Sequence, residues 1–402
     1  MYGLAKKIID ECDGKICRNC LGRKLSKTID GANNIERAEK VENALNINLD
    51  DAECAICGNL FDKLDDDLYK KIDDKINQLG VEFETFLVGC QIDKTIQKRD
   101  EEFSEKFSLN VETIKKEVNR LIGLGIWERY DKDAEFERQD IVFNIDLRSE
   151  PKVRIQINPL YIEGKYNKLQ RGIPQTKWPC SKCKGRGCEE CNFTGKQYPE
   201  SVEELISEHV LKLTKGREAK FHGAGREDID VLMLGSGRPF VLEIKEPRLR
   251  NIDLSKLEED VNKINEGKTS YHNLHLCERP RKAEIKQSSP DAYKVYNAIV
   301  KCDRAYDKEK LDELTKLNEI HQQTPLRVLR RRTDMIRIKH VLDLSYEVID
   351  DTTFSIQIKT EGGLYIKELI SGDEGRSNPN VSEILGVQAV CEQLDVIEVS
   401  EK

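Results

Sequence analysis

Phe221 to Arg248, FHGAGREDIDVLMLGSGRPFVLEIKEPR, decides how this chain is read. Ile229, Val231 and Met233 alternate, Gly235-Ser236-Gly237 interrupts them, and an apolar run resumes from Phe240 to Ile244. This pattern predicts two strands joined as a hairpin through the Gly-Ser-Gly turn. Arg226 to Asp230 leads straight into the first strand and is too charged for a core segment. It either carries a catalytic carboxylate or is an ordinary solvated approach to a strand.

Outward from that stretch, Pro199 to the C-terminus reads as one α+β unit. Helices are expected at 202–213, 252–264 and 308–320, and strands at 270–277, 293–301, 337–344 and 353–360. No regular βαβ repeat is present, so the sheet is expected to be mixed and largely antiparallel. No G-x-x-x-x-G-K-[ST] loop occurs, and Gly235-x-Gly237 does not precede a helix, which argues against nucleotide-driven chemistry.

Eight of the 13 cysteines form four C-x-x-C pairs. Cys17 and Cys20 with Cys54 and Cys57 suit one tetrahedral zinc. Cys180, Cys183, Cys188 and Cys191, with Gly185 and Gly187 between the pairs, suit a compact zinc knuckle whose glycines bring backbone amides near sulfur. A site closed by four sulfurs is structural, so up to two structural zinc ions are expected and no organic cofactor. Cys12, Cys90, Cys277, Cys302 and Cys391 stand alone and have no nucleophile context.

Between the cysteine sets, Leu64, Leu68, Ile72 and Ile76 form a helical stripe ending at Gly80. A strand over 81–88, a helix capped by Asn110, and strands at 140–146 and 152–158 follow. Residues 161–179, punctuated by Gly164, Gly172, Pro174 and Pro179, read as a linker. The division expected is a zinc-bearing domain over 1–160, linker and knuckle over 161–198, and the larger unit over 199–402.

The chain has 402 residues, 35% of them charged, and a net charge of -8. A total of that sign argues weakly against nucleic acid, but phosphate binding depends on local patches. Lys182, Lys184, Arg186 and Lys196 make the knuckle basic, and Thr324 to Arg332, TPLRVLRRR, is the most basic stretch. No segment approaches the roughly 18 apolar residues of a membrane span, and the N-terminus lacks a secretory pattern, so a cytoplasmic protein is expected.

Three further pieces stand with the opening loop. Tyr296 shares a strand face with Lys294, and Lys367 follows Gly362-Gly363 where it could reach back to a carboxylate; such an ion pair keeps an aspartate ionised. Taken singly they read as a core tyrosine, an exposed lysine and a solvated basic face. Together, GREDIDVLMLGSGRPF, Lys294-x-Tyr296, TPLRVLRRR, and Gly363-Leu364-Tyr365-Ile366-Lys367 followed by GDEGRSNP resemble the archaeal tRNA pseudouridine synthases that act on positions 54 and 55. Leu364 departs from the threonine usual there.

The resemblance covers about Pro199 to the C-terminus, and the first domain is similar to the family's THUMP-containing accessory domain. It implies a multidomain α+β fold: a THUMP-like zinc domain, a zinc knuckle and a pseudouridine synthase catalytic domain. It also implies Asp228 as the catalytic aspartate, with Asp230 as fallback, Tyr296 stacking on a flipped uracil, and Lys367 pairing with Asp228. Tyr365 and Ile366 would line the pocket, while Arg226 and the arginines from Arg327 through Arg330 and Arg331 to Arg332 would hold the backbone of tRNA. The protein is expected to act as a monomer on uridines of the TΨC loop, positions 54 and 55. The competing reading is a non-catalytic zinc-dependent RNA-binding protein.

Overall fold

A computed structural model describes residues 2–49, 53–288 and 292–400. The chain divides into two units, Met1–Pro159 with Pro247–Arg250, and Leu160–Glu246 with Asn251–Lys402.

In the first unit, Asp65 caps the helix Asp66–Leu79 by accepting from the Leu68 amide, and Gly80 ends it at φ +58°. Its stripe of Leu68, Ile72 and Ile76 is buried, as the spacing predicts. Strands β1 (Thr85–Gln91), β2 (Asp133–Ala134), β3 (Ile141–Asp146) and β4 (Lys152–Ile157) form a sheet in the order β2-β1-β3-β4. Three details differ from expectation. The strand expected over 81–88 begins only at Thr85. Thr113, not Asn110, caps the helix Ile114–Tyr130, and a polar helix, Lys94–Lys106, precedes it.

The second unit is built on β5 (Leu160–Lys168), β6 (Glu218–Gly223), β7 (Leu232–Lys245), β8 (Thr269–Leu276), β9 (Tyr293–Cys302), β10 (Glu319–Gln323), β11 (Ile336–Val348), β12 (Thr353–Glu361), β13 (Ser377–Asn378) and β14 (Ala389–Val399). Nine strands run in the order β13-β10-β11-β12-β9-β14-β7-β5-β8, and β6 also pairs with β7. Only β7 and β14 run parallel among these pairings, so the sheet is mixed and largely antiparallel. β14 joins two halves: β9 and the strands beyond it on one side, β7, β5, β8 and β6 on the other.

The opening stretch folds differently from its prediction. Gly235-Ser236-Gly237 is not a hairpin turn but a bulge inside one long strand, β7. Tyr166 faces Arg238 and Lys168 faces Met233, so Asn167 alone spans residues 234 to 237. Gly235 (φ +58°) and Gly237 (φ +76°) adopt backbone that favours glycine, and a Cβ on Gly235 would lie 2.0 Å from the Ile397 carbonyl oxygen. Positive φ serves a tight turn and a bulge equally, so the sequence signal is shared. The hairpin that does form pairs β6 with the far half of β7, and the Arg226–Asp230 loop is part of its connection.

Residues 160–168 are not linker. They form β5, hydrogen-bonded on both sides to β7 and β8, and nearly every side chain is buried. A strand covered on both faces loses apolar alternation, and this one carries Glu163, Asn167 and Lys168 inward, which hides it further. The knuckle accordingly lies within the second unit. The span 308–320 is a short helical turn, Lys308–Lys310 and Leu311–Leu314, that leads into β10 rather than one long helix.

Candidate active site

The Arg226–Asp230 loop is held from beneath. Arg238 Nη1 donates to the Ala224 carbonyl (2.9 Å) and Gln175 Nε2 to that of Gly225 (3.0 Å). Lys168 Nζ donates to the carbonyls of Asp228 (3.0 Å) and Ile229 (3.2 Å), and Arg171 Nη1 to that of Asp230 (2.7 Å). Glu227 points inward, 6% exposed, where it accepts from the Tyr166 hydroxyl (2.8 Å) and pairs with Arg238 Nε (2.9 Å). The central residue of Arg-Glu-Asp is thus a buried anchor, and its two neighbours are left facing outward. A buried carboxylate is tolerated only when paired in this way.

Above the loop lies a cavity of about 570 Å³ whose lining includes Arg226, Asp228, Asp230, Tyr296, Tyr365, Ile366 and Lys367. Arg327, Arg331 and Arg332 line it as well, whereas Arg330 is exposed and is not among the lining residues. Ion pairs span it, and the expected Lys367–Asp228 pair is the longest of them. Lys367 Nζ lies 2.7 and 2.9 Å from the Asp230 oxygens and 3.8 Å from Asp228 Oδ2. Asp228 instead meets Arg327, whose Nη1 is 2.9 Å from Oδ2 and 3.1 Å from Oδ1. Arg327 Nε is held at 2.5 Å by the buried Glu368. An arginine expected on the RNA backbone is therefore committed to the carboxylate. Its fork reaches two acids at once, which a lysine's point charge does less well.

Partial burial raises the pKa of Asp230, but the hydrogen bond and charge of Lys367 outweigh it and hold the carboxyl below its ordinary value. Burial pushes the Tyr296 phenol up to about 12 against the opposing charge of Arg238, so it stays neutral at neutral pH. The same burial, with Arg238 beside it, pushes Lys294 down to about 8.

Glu227, Arg238, Lys168, Gln175 and Tyr166 were not singled out by sequence, nor was the pairing role of Arg327. The Arg-Glu-Asp triplet shows three charges in a row but not which of them turns inward.

Both cysteine sets come together, with the sulfurs of each within 4.8 Å of one another. In the knuckle the Sγ separations include 3.7 Å (Cys188 to Cys191) and 3.9 Å (Cys180 to Cys188, and Cys183 to Cys191). Cys17 and Cys57 are 3.6 Å apart. A tetrahedron of sulfurs about 2.3 Å from zinc has edges of about 3.8 Å, so both sets fit that ion. The amide of Gly187 donates to Cys183 Sγ at 3.2 Å, as the glycine spacing predicts, and that of Gly195, not singled out by the spacing, donates to Cys191 Sγ at 3.2 Å. Beside the first set, the buried Arg23 places Nη2 3.6 Å from Cys20 Sγ, where its charge offsets thiolate. No helix among the described residues is long and apolar enough to cross a membrane.

The family description "Pus10 THUMP domain, archaeal" matches residues 69–146, leaving the first cysteine set outside it, and "Pus10, C-terminal" matches 161–400. The chain is 49% identical over 394 residues to the tRNA pseudouridine synthase Pus10 of Methanothermobacter marburgensis, covering 98% of this chain and 97% of the relative. It is 41% identical over 404 residues to that of Pyrococcus furiosus, with coverage of 98% and 97%. A chain from a solved Cbf5-Nop10-Gar1 complex aligns over 58% of this chain and 50% of its own, at 16% identity and a TM-score of 0.32. On a C-terminal description that spans most of the second unit, and on relatives matched over nearly their whole length, the chain belongs to the Pus10 family of tRNA pseudouridine synthases, which are isomerases.

Proposed function

We propose that this chain isomerises uridine in the TΨC loop of tRNA, at positions 54 and 55, with Asp228 as the nucleophile and no organic cofactor, acting as a cytoplasmic monomer. The observation that carries the assignment is the setting of Asp228. It is the more recessed of the two loop aspartates (side chain 38% exposed against 61% for Asp230), its backbone is pinned, and a guanidinium engages its carboxylate. The TΨC-loop substrate rests on the sequence motifs, and every residue the reaction needs lines a cavity of one chain.

The chemistry is self-contained. Asp228 attacks the ribose C1′ as the C1′–N1 bond breaks, and uracil leaves with the bonding pair. The base turns so that C5 faces C1′, the C1′–C5 bond forms as the aspartate departs, the C5 proton goes to solvent, and N1 takes up a proton. Tyr296 provides a neutral aromatic surface for the base. Unstacking a loop uridine costs a few kcal/mol, of which stacking on an aromatic ring offsets about 1 to 3 kcal/mol.

Tritium release from tRNA labelled at uracil C5 tests this reading. Wild type should release it and Asp228→Ala should not. No release by wild type sinks the activity, and full release by Asp228→Ala moves the nucleophile to Asp230. The two cysteine sets each hold a structural zinc in this proposal. Elemental analysis should find close to two equivalents per chain, and one equivalent would leave a set without metal.

A further inference from the structure

Trp178 stands two residues before the knuckle's first cysteine and lines the cavity that contains Asp228. Two guanidiniums lie over its ring, Arg226 with Cζ 4.9 Å from the centroid and Arg331 with Cζ 5.4 Å. They come from separate segments, Arg226 from the aspartate loop and Arg331 from the arginine stretch. Both are exposed, and neither side chain has a carboxylate or hydrogen-bond partner among the described residues. Arg332 also lines the cavity without such a partner but does not lie over the ring, whereas Lys367, Arg327 and Arg238 are each paired with an acid. Two unneutralised guanidiniums held together repel one another, and an indole face is the surface that best tolerates them.

The ring is fixed by the closure of the knuckle. The Trp178 carbonyl accepts from the Gln197 amide (2.9 Å), Pro179 bridges to Lys196, and the Cys180 amide donates to the Gly195 carbonyl (2.8 Å). Tyr198 packs edge-on against the ring with centroids 5.5 Å apart. The two ends of the cysteine module thus meet at the Trp178 backbone.

We infer that Arg226 and Arg331, braced on Trp178, form a phosphodiester clamp at the cavity mouth, mounted on the cysteine knuckle, for the RNA backbone beside the uridine being isomerised. The inference rests on the reading of the cavity given above. Phosphate suits the arrangement because it is the anion that two guanidiniums can each engage through two oxygens. Trp178 is a positioning residue here: holding both forks in place lowers the ordering they would otherwise undergo on binding.

The test uses the full chain and an unmodified TΨC stem–loop transcript, with affinity measured across a salt series and pseudouridine formed on the same transcript. Arg226→Gln and Arg331→Gln should each flatten the slope of log K against log salt by about 0.7 to 0.9. Trp178→Ala should weaken binding about tenfold at fixed salt and Trp178→Phe about threefold or less. In the Arg226→Gln/Arg331→Gln background, Trp178→Ala should add nothing. Unchanged slopes, or a full Trp178→Ala effect in that double background, overturn the clamp. Should Trp178→Ala unfold the knuckle, the two exposed arginine variants and Trp178→Phe still decide. Absence of pseudouridine from wild type removes the proposed function instead, whatever the slopes show.

Discussion

The aspartate loop, Arg226–Asp230, and the arginine stretch, Pro325–Arg332, line one cavity but are held in opposite ways. Backbone carbonyls at Ala224, Gly225, Asp228, Ile229 and Asp230 accept from side chains beneath the first, and Glu227 is buried as its anchor. In the second, acids hold the Arg327 side chain and the Leu326 amide, whereas the side chains of Arg330 and Arg332 have no carboxylate or hydrogen-bond partner among the described residues. A group that forms and breaks a bond has to be placed within a fraction of an ångström, and a group that meets a phosphate need only be charged and near. The loop with the more backbone hydrogen bonds is the one that carries the proposed nucleophile.

The sharpest way to break this contrast is Asp228→Asn against Asp230→Asn. Pseudouridine formation should fall at least about 10⁴-fold in the first and only about tenfold in the second, measured as single-turnover rates; equal losses would mean the two carboxylates act as a unit. Next in size is Arg238→Leu, which strands the buried Glu227 under the loop. It should destabilise the second unit by about 3 to 5 kcal/mol, read from the urea midpoint, and a loss below about 1 kcal/mol would show that the anchor is not tightly coupled to the fold.

A third test concerns Lys294, 8% exposed, whose pKa is pushed from 10.5 down to about 8 by burial and by Arg238. Below pH 8 the lysine is charged in both folded and unfolded chains, and its burial destabilises the fold. Between pH 8 and 10.5 the unfolded chain binds the extra proton, so stability rises with pH across that window by about 3 kcal/mol. The difference between wild type and Lys294→Met in urea unfolding should shift by that amount, and a constant difference would refute the buried, discharged lysine. The smallest effect belongs to Arg332→Gln. It should raise KM for tRNA a few-fold more than it lowers kcat and flatten the salt slope by about 0.7 to 0.9. A loss confined to kcat would place Arg332 with the chemistry and blur the division.

What sequence could show follows the same line. The C-x-x-C pairs, the helix Asp66–Leu79 and the charged loop before β7 were legible because each is a local pattern with a fixed spacing. Lys367 does reach the expected Asp228, at 3.8 Å, but lies closer to Asp230, at 2.7 Å; both acids are within 4 Å of it and only geometry ranks them. The pins under the loop were invisible. Lys168 and Tyr166 sit on a strand whose two buried faces erase alternation, and the residues they hold lie about sixty positions away. Arg327 was legible as a charge but not as a partner, because Glu368 and Asp228 reach it from opposite directions in the chain. Trp178 gave no signal, since a tryptophan before a metal module has no period to betray it.

The place of β14 has a consequence for synthesis. Asp228 and its supports belong to the β7 side of the sheet, and Tyr296, Arg327 and Lys367 to the β9 side, with β14 between them. Of the ten strands it is the last to leave the ribosome. A nascent chain can thus hold the acid and its cations in separate, half-paired sheets for as long as translation of this unit takes. Pairing across such long sequence separations is slow and comes late. The cavity lined by Asp228, Tyr296, Arg327 and Lys367 is therefore completed in one closing step, after the knuckle and the N-terminal unit have already been made.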